Sequence, residues 1–250
     1  MRLEELVKGI AGTELLYWGD AYLKAFEANI VRLEPDEKKH FYMILDRTIF
    51  HPKSGGQPSD RGVIQGDGFK IEVKKAMLAG SVVVHWGKLL EGSPNIGKVN
   101  GGIDWDWRYL LMRRHTAGHL LDHCLAVVTG KRVETTDSWL GDECYVGYKG
   151  EPPSIEELKK IEETENKLIE QGAAVKIETV SYEELKERAP EAPNIYRLPT
   201  LESFRIVTIE GCEPIPCGGT HLKNISEIGR FILENAAKTS LGFNVYYDVQ

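Results

Sequence analysis

Three histidines recur at four-residue intervals in the segment RRHTAGHLLDH, at positions 115, 119 and 123. On a helix, residues four apart lie on one face, about 6 Å apart along the axis, so two such imidazoles can bind one metal ion. Residues eight apart are separated by about 12 Å of helical rise, which is too far for a shared ion. The segment therefore predicts a metal-binding pair, formed either by His115 and His119 or by His119 and His123.

A second pair of candidate ligands, Cys217 and His221, flanks two glycines in the segment CGGTH. Gly218 and Gly219 can adopt positive φ angles, and we expect them to fold the backbone so that the thiolate and the imidazole point at one ion. Together with the helical pair they form a nitrogen and sulfur set that suits zinc. Because threonine follows the first histidine, the helix lacks the His-Glu-x-x-His signature of metalloproteases.

The elements that must carry these ligands are predicted in the second half of the chain. Residues 104–130 favour one long helix, with an aspartate near its start and a glycine just past its end. A second helix is predicted over 154–172, where Ser154 and Glu157 form a capping box, and a short helix follows Ser181. Strands are predicted over 173–180, 204–209, 229–235 and 244–249. This half is expected to be α+β, with helices against a mainly antiparallel sheet.

The first hundred residues are predicted to be rich in strands. Residues 40–45 form one candidate, and 61–87 contain a hairpin whose turn is the segment QGDG. Short strands joined by glycine-rich turns favour a small β-barrel. A stretch rich in Gly, Pro, Ser and Asn covers 90–102, so we place a domain boundary there. The chain is thus divided into an N-terminal barrel-like domain, 1–97, and a C-terminal α+β domain, 98–250.

The composition is that of an ordinary globular protein, with 42% hydrophobic and 28% charged residues. The formal net charge of −7 argues against a broad basic surface for long nucleic acids, but not against a local basic groove for one nucleic-acid end. No apolar run is long enough to span a membrane, and the segment MRLEELVKGI lacks the features of a signal peptide. Four cysteines without a secretion signal are expected to be reduced thiols or metal ligands in a cytoplasmic protein.

The two ligand pairs together resemble the editing domain of alanyl-tRNA synthetase, whose signature is His-x-x-x-His followed by Cys-x-x-x-His. The segments RRHTAGHLLDH and PCGGTHLKNISEIGRF carry this resemblance. Upstream, FHPKSGGQPSDRGVI resembles the glycine-rich motif of the domain that precedes the editing domain, and ENAAKTSLGFNVYYDV resembles the endings of AlaX proteins. Over residues 13–250 the chain is similar to the free-standing AlaX proteins, in particular to the medium-length type that keeps the glycine motif.

The resemblance implies a small N-terminal β-barrel followed by a zinc-containing α+β editing domain. It also implies that His115, His119, Cys217 and His221 hold one Zn²⁺ per chain, with His123 as a spare histidine one turn beyond. The implied activity is trans-editing, the hydrolysis of the ester that joins a wrong amino acid, chiefly serine and also glycine, to tRNA(Ala). The sequence indicates no general base, no oligomeric state and no means of selecting the tRNA.

The resemblance further implies contacts with the substrate. Gly55, Gly56 and Gln57 of the glycine motif are expected to face the editing pocket, with Gln57 reaching toward the substrate; a tight barrel turn is the alternative interpretation. In the family, a threonine after the histidine helix faces the substrate side chain, and spacing favours Thr136, with Thr135 next to it. A site that hydrogen-bonds the serine hydroxyl rejects alanine far better than an apolar pocket does.

Basic residues around the histidine helix are candidates for phosphate contacts with a tRNA end, unless they pair with acids such as Asp104, Asp106 and Asp122. They are Arg108, Arg113, Arg114, Lys131 and Arg132. Two other functions remain open from the residues alone. One is a non-catalytic structural zinc module that binds RNA or protein, and the other is an unrelated zinc hydrolase such as an amidase.

Overall fold

A computed structural model describes residues 2–198 and 203–250. The chain forms two compact units, one made of Met1–Ser54 and Pro58–Tyr109 and the other of Gly55–Gln57 and Leu110–Gln250. The units divide later in the chain than the predicted boundary at 97/98, because the strand that follows it, Lys98–Ile103, completes the barrel. The assignment of separate functions to the two predicted domains stays a prediction.

The first unit contains a closed, six-stranded antiparallel barrel, which confirms the predicted N-terminal β-barrel. Its elements are α1 (Leu3–Val7), β1 (Glu14–Leu15), β2 (Ala25–Pro35), β3 (His40–Leu45), β4 (Arg47–Thr48), β5 (Gly62–Gly66), β6 (Phe69–Ala79), β7 (Val82–Gly92) and β8 (Lys98–Ile103). The order around the barrel is β2-β3-β7-β6-β5-β8, while β1 and β4 form a short parallel pair. The predicted hairpin is β5 and β6, and in its turn Gly68 has a φ of 75°. Inward-facing side chains such as Ile64, Ile71 and Val73 fill the barrel.

A buried ion pair stabilises the first unit. The Arg108 guanidinium and the Asp60 carboxylate are both fully buried, and the Nε–Oδ1 distance is 2.9 Å. Arg108 also donates to the carbonyls of Ala21 at 3.0 Å and Ile49 at 2.6 Å, while Asp60 accepts from the His51 amide at 2.6 Å. Because these bonds replace the lost hydration of both charges, removing either partner would leave a buried, uncompensated charge.

The second unit is α+β, as predicted. Its elements are α2 (Trp105–Thr129), which begins in the first unit, β9 (Thr135–Trp139), β10 (Tyr145–Tyr148), α3 (Ile155–Gln171), β11 (Val175–Ser181), α4 (Tyr182–Arg188), β12 (Ser203–Ile209), β13 (Ile215–Pro216), β14 (Phe231–Thr239) and β15 (Gly242–Val249). One antiparallel sheet has the order β14-β15-β10-β9, and a second has the order β11-β12-β13. Among the described helices, none is both long and apolar enough to cross a membrane.

Local sequence signals begin and end the helices of this unit. The Asp104 carboxylate accepts from the Trp107 amide at 3.2 Å at the start of α2, and Gly130 follows the helix with a φ of 66°. Ser154 and Glu157 form the predicted capping box of α3, with hydrogen bonds of 3.2 and 2.7 Å. These predictions are confirmed because each depends on residues that are close in sequence.

Helix α2 packs directly on the four-stranded sheet. A Cβ atom at Gly118 would lie 2.7 Å from the Tyr247 hydroxyl and 3.4 Å from Cγ2 of Val146, so glycine allows this close approach. The Tyr148 hydroxyl donates to the Asp122 carboxylate at 2.7 Å. Strand β10 therefore turns Val146 and Tyr148 toward the helix that carries the three histidines.

Candidate metal centre

The structure brings together the four residues of the two predicted ligand pairs. One ligand atom from each of His115, His119, Cys217 and His221 lies within 4.8 Å of all the others. The imidazole centroids of His115 and His221 are 4.2 Å apart, and those of His119 and His221 are 4.6 Å apart. Within the described residues, His123 does not belong to this group. Of the two pairs that helical spacing allowed, the one that meets Cys217 and His221 is therefore His115 and His119.

The distances within the cluster fit a tetrahedral ion. Nε2 of His115 is 3.2 Å from Sγ of Cys217, and Nε2 of His221 is 3.4 Å from the same sulfur. Bond lengths of about 2.0–2.1 Å to nitrogen and 2.3 Å to sulfur place the ligand atoms of a zinc tetrahedron about 3.5 Å apart. The donor set and its spacing therefore match a site that could hold a divalent metal such as zinc.

Hydrogen bonds hold two of the imidazoles with Nε2 toward the cluster. Nδ1 of His115 is 3.0 Å from Oε1 of Gln57, an oxygen that can only accept. Nδ1 of His221 is 3.4 Å from the hydroxyl of Thr116, which already donates to the carbonyl of Met112 at 2.8 Å and so accepts from the ring. Both rings thus carry their proton on Nδ1, so Nε2 is the atom that carries the lone pair for a metal.

Gln57 is fully buried and links the glycine motif to the CGGTH segment. Its Nε2 donates to the hydroxyl of Thr220 at 2.9 Å, and its Oε1 accepts from the Thr220 amide at 3.1 Å. The side chain predicted to reach toward the substrate is therefore engaged with His115 and with the residue that precedes His221. Neither partner could be identified from the sequence, because they lie 58 and 163 residues away from Gln57.

The two glycines of CGGTH serve a different purpose from the predicted one. Neither Gly218 nor Gly219 has a positive φ, so the expectation of a left-handed turn is wrong. A Cβ atom at Gly219 would instead lie 2.6 Å from Nδ1 of His115 and 2.8 Å from Oε1 of Gln57, whereas one at Gly218 would meet nothing within 4 Å. Gly219 is therefore required by close packing against a ligand ring, and Gly218 is not.

Arg205 on β12 positions the CGGTH segment and sets its electrostatics. Its Nη1 donates to the carbonyls of Cys217 at 3.2 Å and Gly219 at 2.5 Å. Burial, aided by the Arg205 charge, lowers the pKa of His119 to about 4, so this ring is neutral at pH 7, the form that binds metals. Burial raises the pKa of the Cys217 thiol, while the Gly219 amide and Arg205 oppose that shift. Metal binding would therefore release a proton from the thiol.

The cluster is largely buried. His115 is 8% exposed and His221 is 1% exposed, whereas His119 and Cys217 are of intermediate exposure as whole residues. A buried carboxyl, Asp122, lies one turn beyond His119 on α2, and burial raises its pKa to about 7. The sequence suggested Asp122 as a surface partner for arginines, and that expectation is wrong because the residue is buried against Tyr148.

Comparisons with known proteins identify the family. The family model of tRNA synthetases class II (A) matches residues 17–107, and that of the threonyl and alanyl tRNA synthetase second additional domain matches 204–241. The alanyl-tRNA editing protein AlaX-M of Methanosarcina acetivorans is 35% identical over 226 residues, which cover 86% of this chain and 90% of that protein. The chain belongs to the alanyl-tRNA editing protein family.

Two longer relatives show that the same region occurs in larger proteins. The alanyl-tRNA editing protein AlaX-L of Pyrococcus horikoshii is 36% identical over 218 residues, which are 52% of its length. The alanine–tRNA ligase of Ignicoccus hospitalis is 34% identical over 245 residues, which are 26% of its length. This member of the alanyl-tRNA editing protein family thus matches nearly all of AlaX-M, but only part of each longer relative.

The predicted glycine motif approaches β9 in this family member. Gly55 and Gly56 have φ angles of 54° and 82°, in the region that favours glycine. The Gly56 carbonyl accepts from the Leu140 amide at 3.0 Å, and a Cβ at Gly56 would collide with the carbonyl of Ser138. The two glycines therefore permit a tight contact with the strand that holds Thr135 and Thr136, and their contact with a substrate stays a prediction.

Strand β9 places its two threonines on opposite faces of the sheet. Thr135 pairs with Tyr148 and so faces α2, where it is buried and its hydroxyl donates to the carbonyl of Pro193 at 3.2 Å. The Thr136 hydroxyl lies instead next to Gly147, which points away from α2 because successive strand residues alternate. The structure therefore places the two threonines on opposite faces of the sheet, and the contact of Thr136 with the substrate stays a prediction.

Three of the five arginines and lysines proposed for tRNA phosphates are engaged inside the protein. Arg108 is fully buried in its ion pair, and Arg114 donates to Asp248 at 2.9 Å and to a backbone carbonyl at 3.1 Å. Arg113 donates to another backbone carbonyl at 2.8 Å. Arg132 pairs with a surface glutamate at 2.7 Å, and Lys131 is exposed. The predicted basic groove around the histidine helix is therefore wrong for Arg108, Arg113 and Arg114.

Proposed function

We propose that this protein is a trans-editing hydrolase that removes wrongly attached amino acids, chiefly serine and also glycine, from tRNA(Ala). The observation that carries the proposal is the convergence of His115, His119, Cys217 and His221 within 4.8 Å in a member of the alanyl-tRNA editing protein family. The reaction is hydrolysis of the aminoacyl ester. The four free cysteines support a cytoplasmic location, where thiols stay reduced.

We further propose that the four side chains hold one Zn²⁺ per chain. When bound, zinc supplies Lewis-acid polarisation of the ester carbonyl or a bound water of lowered pKa. Gln57 and Thr116 hold two imidazoles with Nε2 toward the cluster. We place the accessible side, on which the aminoacyl end approaches, at His119 and Cys217, because these two ligands have intermediate exposure as whole residues.

Recognition of serine requires a polar group near this accessible side. Of the two candidate threonines, Thr135 shares the helix-facing side of the sheet with Tyr148, while Thr136 lies on the other side. We therefore favour Thr135 for the contact with the serine hydroxyl. Arg197, which donates to the Thr135 hydroxyl at 2.7 Å, would hold that group in place.

The ligand count supports a second candidate function, a non-catalytic zinc module that binds RNA or protein. Four protein ligands are typical of closed structural zinc sites, whereas catalytic sites usually keep one position open to water or substrate. The cluster of three histidines and one cysteine is a complete set by this criterion.

Deacylation kinetics separate the two functions. Purified protein is incubated with tRNA(Ala) charged with serine, glycine or alanine, and free amino acid is measured together with bound zinc. We expect about one zinc per chain and rapid release of serine, slower release of glycine, and little release of alanine. One zinc per chain with release no faster than in buffer supports the structural module. Cleavage of free amides in preference to aminoacyl esters would show an unrelated zinc hydrolase.

A further inference from the structure

The outer surface of the barrel carries a group of exposed lysines around three aromatic rings. We call this surface the lysine face. It consists of Lys38, Lys39, Lys74, Lys75 and Lys88 together with His40, Tyr42 and Trp86. All five lysines are exposed, and the three rings are partly exposed. In a chain with a net charge of −7, this concentration of positive charge requires an explanation.

Strand pairing places these side chains in two rows. Trp86 on β7 pairs with Tyr42 on β3 and with Lys75 on β6, and Lys88 pairs with His40 in the next row. Paired residues project from the same face of a sheet, so the rows lie side by side on the outside of the barrel. The rings of His40 and Trp86 stack at 4.4 Å with planes 7° apart, and the Lys75 ammonium is 5.8 Å from the Trp86 centroid. The face therefore carries a stacked pair of rings, in which His40 covers one side of Trp86, edged by ammonium groups.

The turn that leads into the lysine face has an unfavourable sequence. Lys38 and Lys39 have φ angles of 54° and 62°, and the His40 amide bonds to the Glu37 carbonyl, which makes the connection between β2 and β3 a type I′ turn. Such turns favour Asn-Gly, because side chains disfavour positive φ. Within the described residues, Glu143 is the one other non-glycine residue with a positive φ. The chain thus keeps two adjacent lysines at a position where neither is conformationally favoured.

One of the five lysines forms an ion pair. Lys74 pairs with Glu72 at 2.6 Å, and no described acidic side chain forms an ion pair with Lys38, Lys39, Lys75 or Lys88. The Asp36 carboxylate accepts from the Trp86 indole at 2.8 Å and keeps its negative charge, because that hydrogen bond lowers its pKa. With Glu34, Glu37 and Glu72, which lie on or beside the face, Asp36 reduces the net charge of the face without pairing with these four lysines. Four exposed ammonium groups outside ion pairs can therefore contact the phosphates of an anionic partner.

We propose that the lysine face binds the sugar-phosphate backbone of an RNA, and that it is the surface on which the tRNA body docks. Lysines bind phosphates by releasing counterions, and the outer ring of the His40–Trp86 stack can stack with an unpaired base. The choice of tRNA rests on the proposed function, whereas binding of structured RNA follows from the charge and the rings alone.

The first experiment measures binding of uncharged tRNA(Ala) transcript by fluorescence anisotropy at several salt concentrations. A variant with Lys38→Gln, Lys39→Gln, Lys75→Gln and Lys88→Gln should bind at least about tenfold more weakly. The slope of log K against log salt should fall by about 3.6 if all four lysines contact phosphates, at about 0.9 per contact.

The matched control for this variant is Lys8→Gln with Lys98→Gln. Both control residues are exposed lysines of the same unit that lie outside the lysine face. The control should bind tRNA as the unchanged protein does. Equal tRNA affinity of the quadruple lysine variant and the unchanged protein would overturn the proposal. Binding to vesicles rich in phosphatidylserine with no binding to RNA would also overturn it.

The turn offers a second, independent test. Lys38→Asn with Lys39→Gly installs the favoured type I′ sequence and removes two charges. We expect the melting temperature to rise by a few degrees while RNA affinity falls, because the strained lysines serve binding and not stability. A higher melting temperature with unchanged affinity would contradict the proposal. Because uncharged tRNA is the probe, failure of deacylation by the unchanged protein would refute the hydrolase function without affecting this result.

Discussion

A substitution of Gly219 by alanine tests whether the metal centre depends on close packing at the CGGTH turn. The added Cβ would lie 2.6 Å from Nδ1 of His115 and 2.8 Å from Oε1 of Gln57. Ordinary contacts between such atoms are about 3.5–4.0 Å, so the ring must move by about 1 Å. Metal sites tolerate deviations of about 0.2 Å in ligand distance. We therefore expect Gly219→Ala to remove His115 from the ligand set and to weaken zinc binding by about 100-fold or more.

The neighbouring glycine provides the control. A Cβ at Gly218 would meet nothing within 4 Å, and its φ lies outside the left-handed region. Gly218→Ala should change zinc affinity by no more than about twofold, in line with the roughly 0.5 kcal/mol limit for substitutions that touch nothing. Each variant gains one methyl group, at adjacent positions, so the two have identical composition and charge.

Zinc affinity is measured by competition with a chromophoric chelator, and the fold of each metal-free variant is checked by circular dichroism and thermal melting. We expect Gly219→Ala to keep its secondary structure and lose zinc, and Gly218→Ala to keep both. Equal zinc affinity in the two variants would refute the reasoning, because it would mean that the His115 ring can move without loss of the metal. A greater loss of zinc affinity in Gly218→Ala than in Gly219→Ala would support the original prediction, in which the segment needs a glycine with positive φ.

Three further predictions concern residues around the cluster. Gln57→Leu removes the acceptor that holds His115 and should weaken zinc binding by about 10–100-fold. Gln57→Glu keeps an acceptor and should retain most of the zinc affinity. Unchanged zinc affinity in the leucine variant, together with a raised KM, would favour contact of Gln57 with the substrate instead. His115→Ala should abolish stoichiometric zinc by elemental analysis and His123→Ala should not, whereas zinc loss in His123→Ala with retention in His115→Ala would favour the His119/His123 pair. Thr135→Val should lower the ratio of serine-ester to alanine-ester hydrolysis by about twofold to tenfold, because a hydrogen bond is worth about 0.5–1.5 kcal/mol. Thr136→Val should leave this ratio unchanged. A fall in the ratio confined to Thr136→Val would show that the wrong threonine was chosen for the serine hydroxyl.

Features that depend on neighbours in sequence were predictable. Ser154 and Glu157 cap α3 because the capping residues are three apart, and the glycine turn of the β5–β6 hairpin joins strands two residues apart. The two ligand pairs were recognisable for the same reason, because each lies within five residues of chain. Their convergence was inferred from the suitability of the combined donor set for zinc, and from the family resemblance.

Features that depend on distant contacts were not predictable. Arg108 was expected at the surface. Its partner Asp60 lies 48 residues away in sequence, so no local pattern predicts this ion pair. The choice between Thr136 and Thr135 stays a prediction, because a shift of one residue on a strand moves a side chain to the opposite face. The irregular register between β9 and β10 lies at this point, which makes alternation difficult to extrapolate from the sequence.

The tripeptide Gly55–Gln57 belongs to the second unit although both of its neighbours, Ser54 and Pro58, belong to the first. A gene fragment that encodes residues 110–250 would contain all four ligands and yet lack the amide that orients His115. Recombination that exchanged the barrel for another domain would have to carry these three residues along to preserve the metal centre. The tripeptide is therefore expected to be inherited with the second unit, although the chain on both sides of it belongs to the first unit.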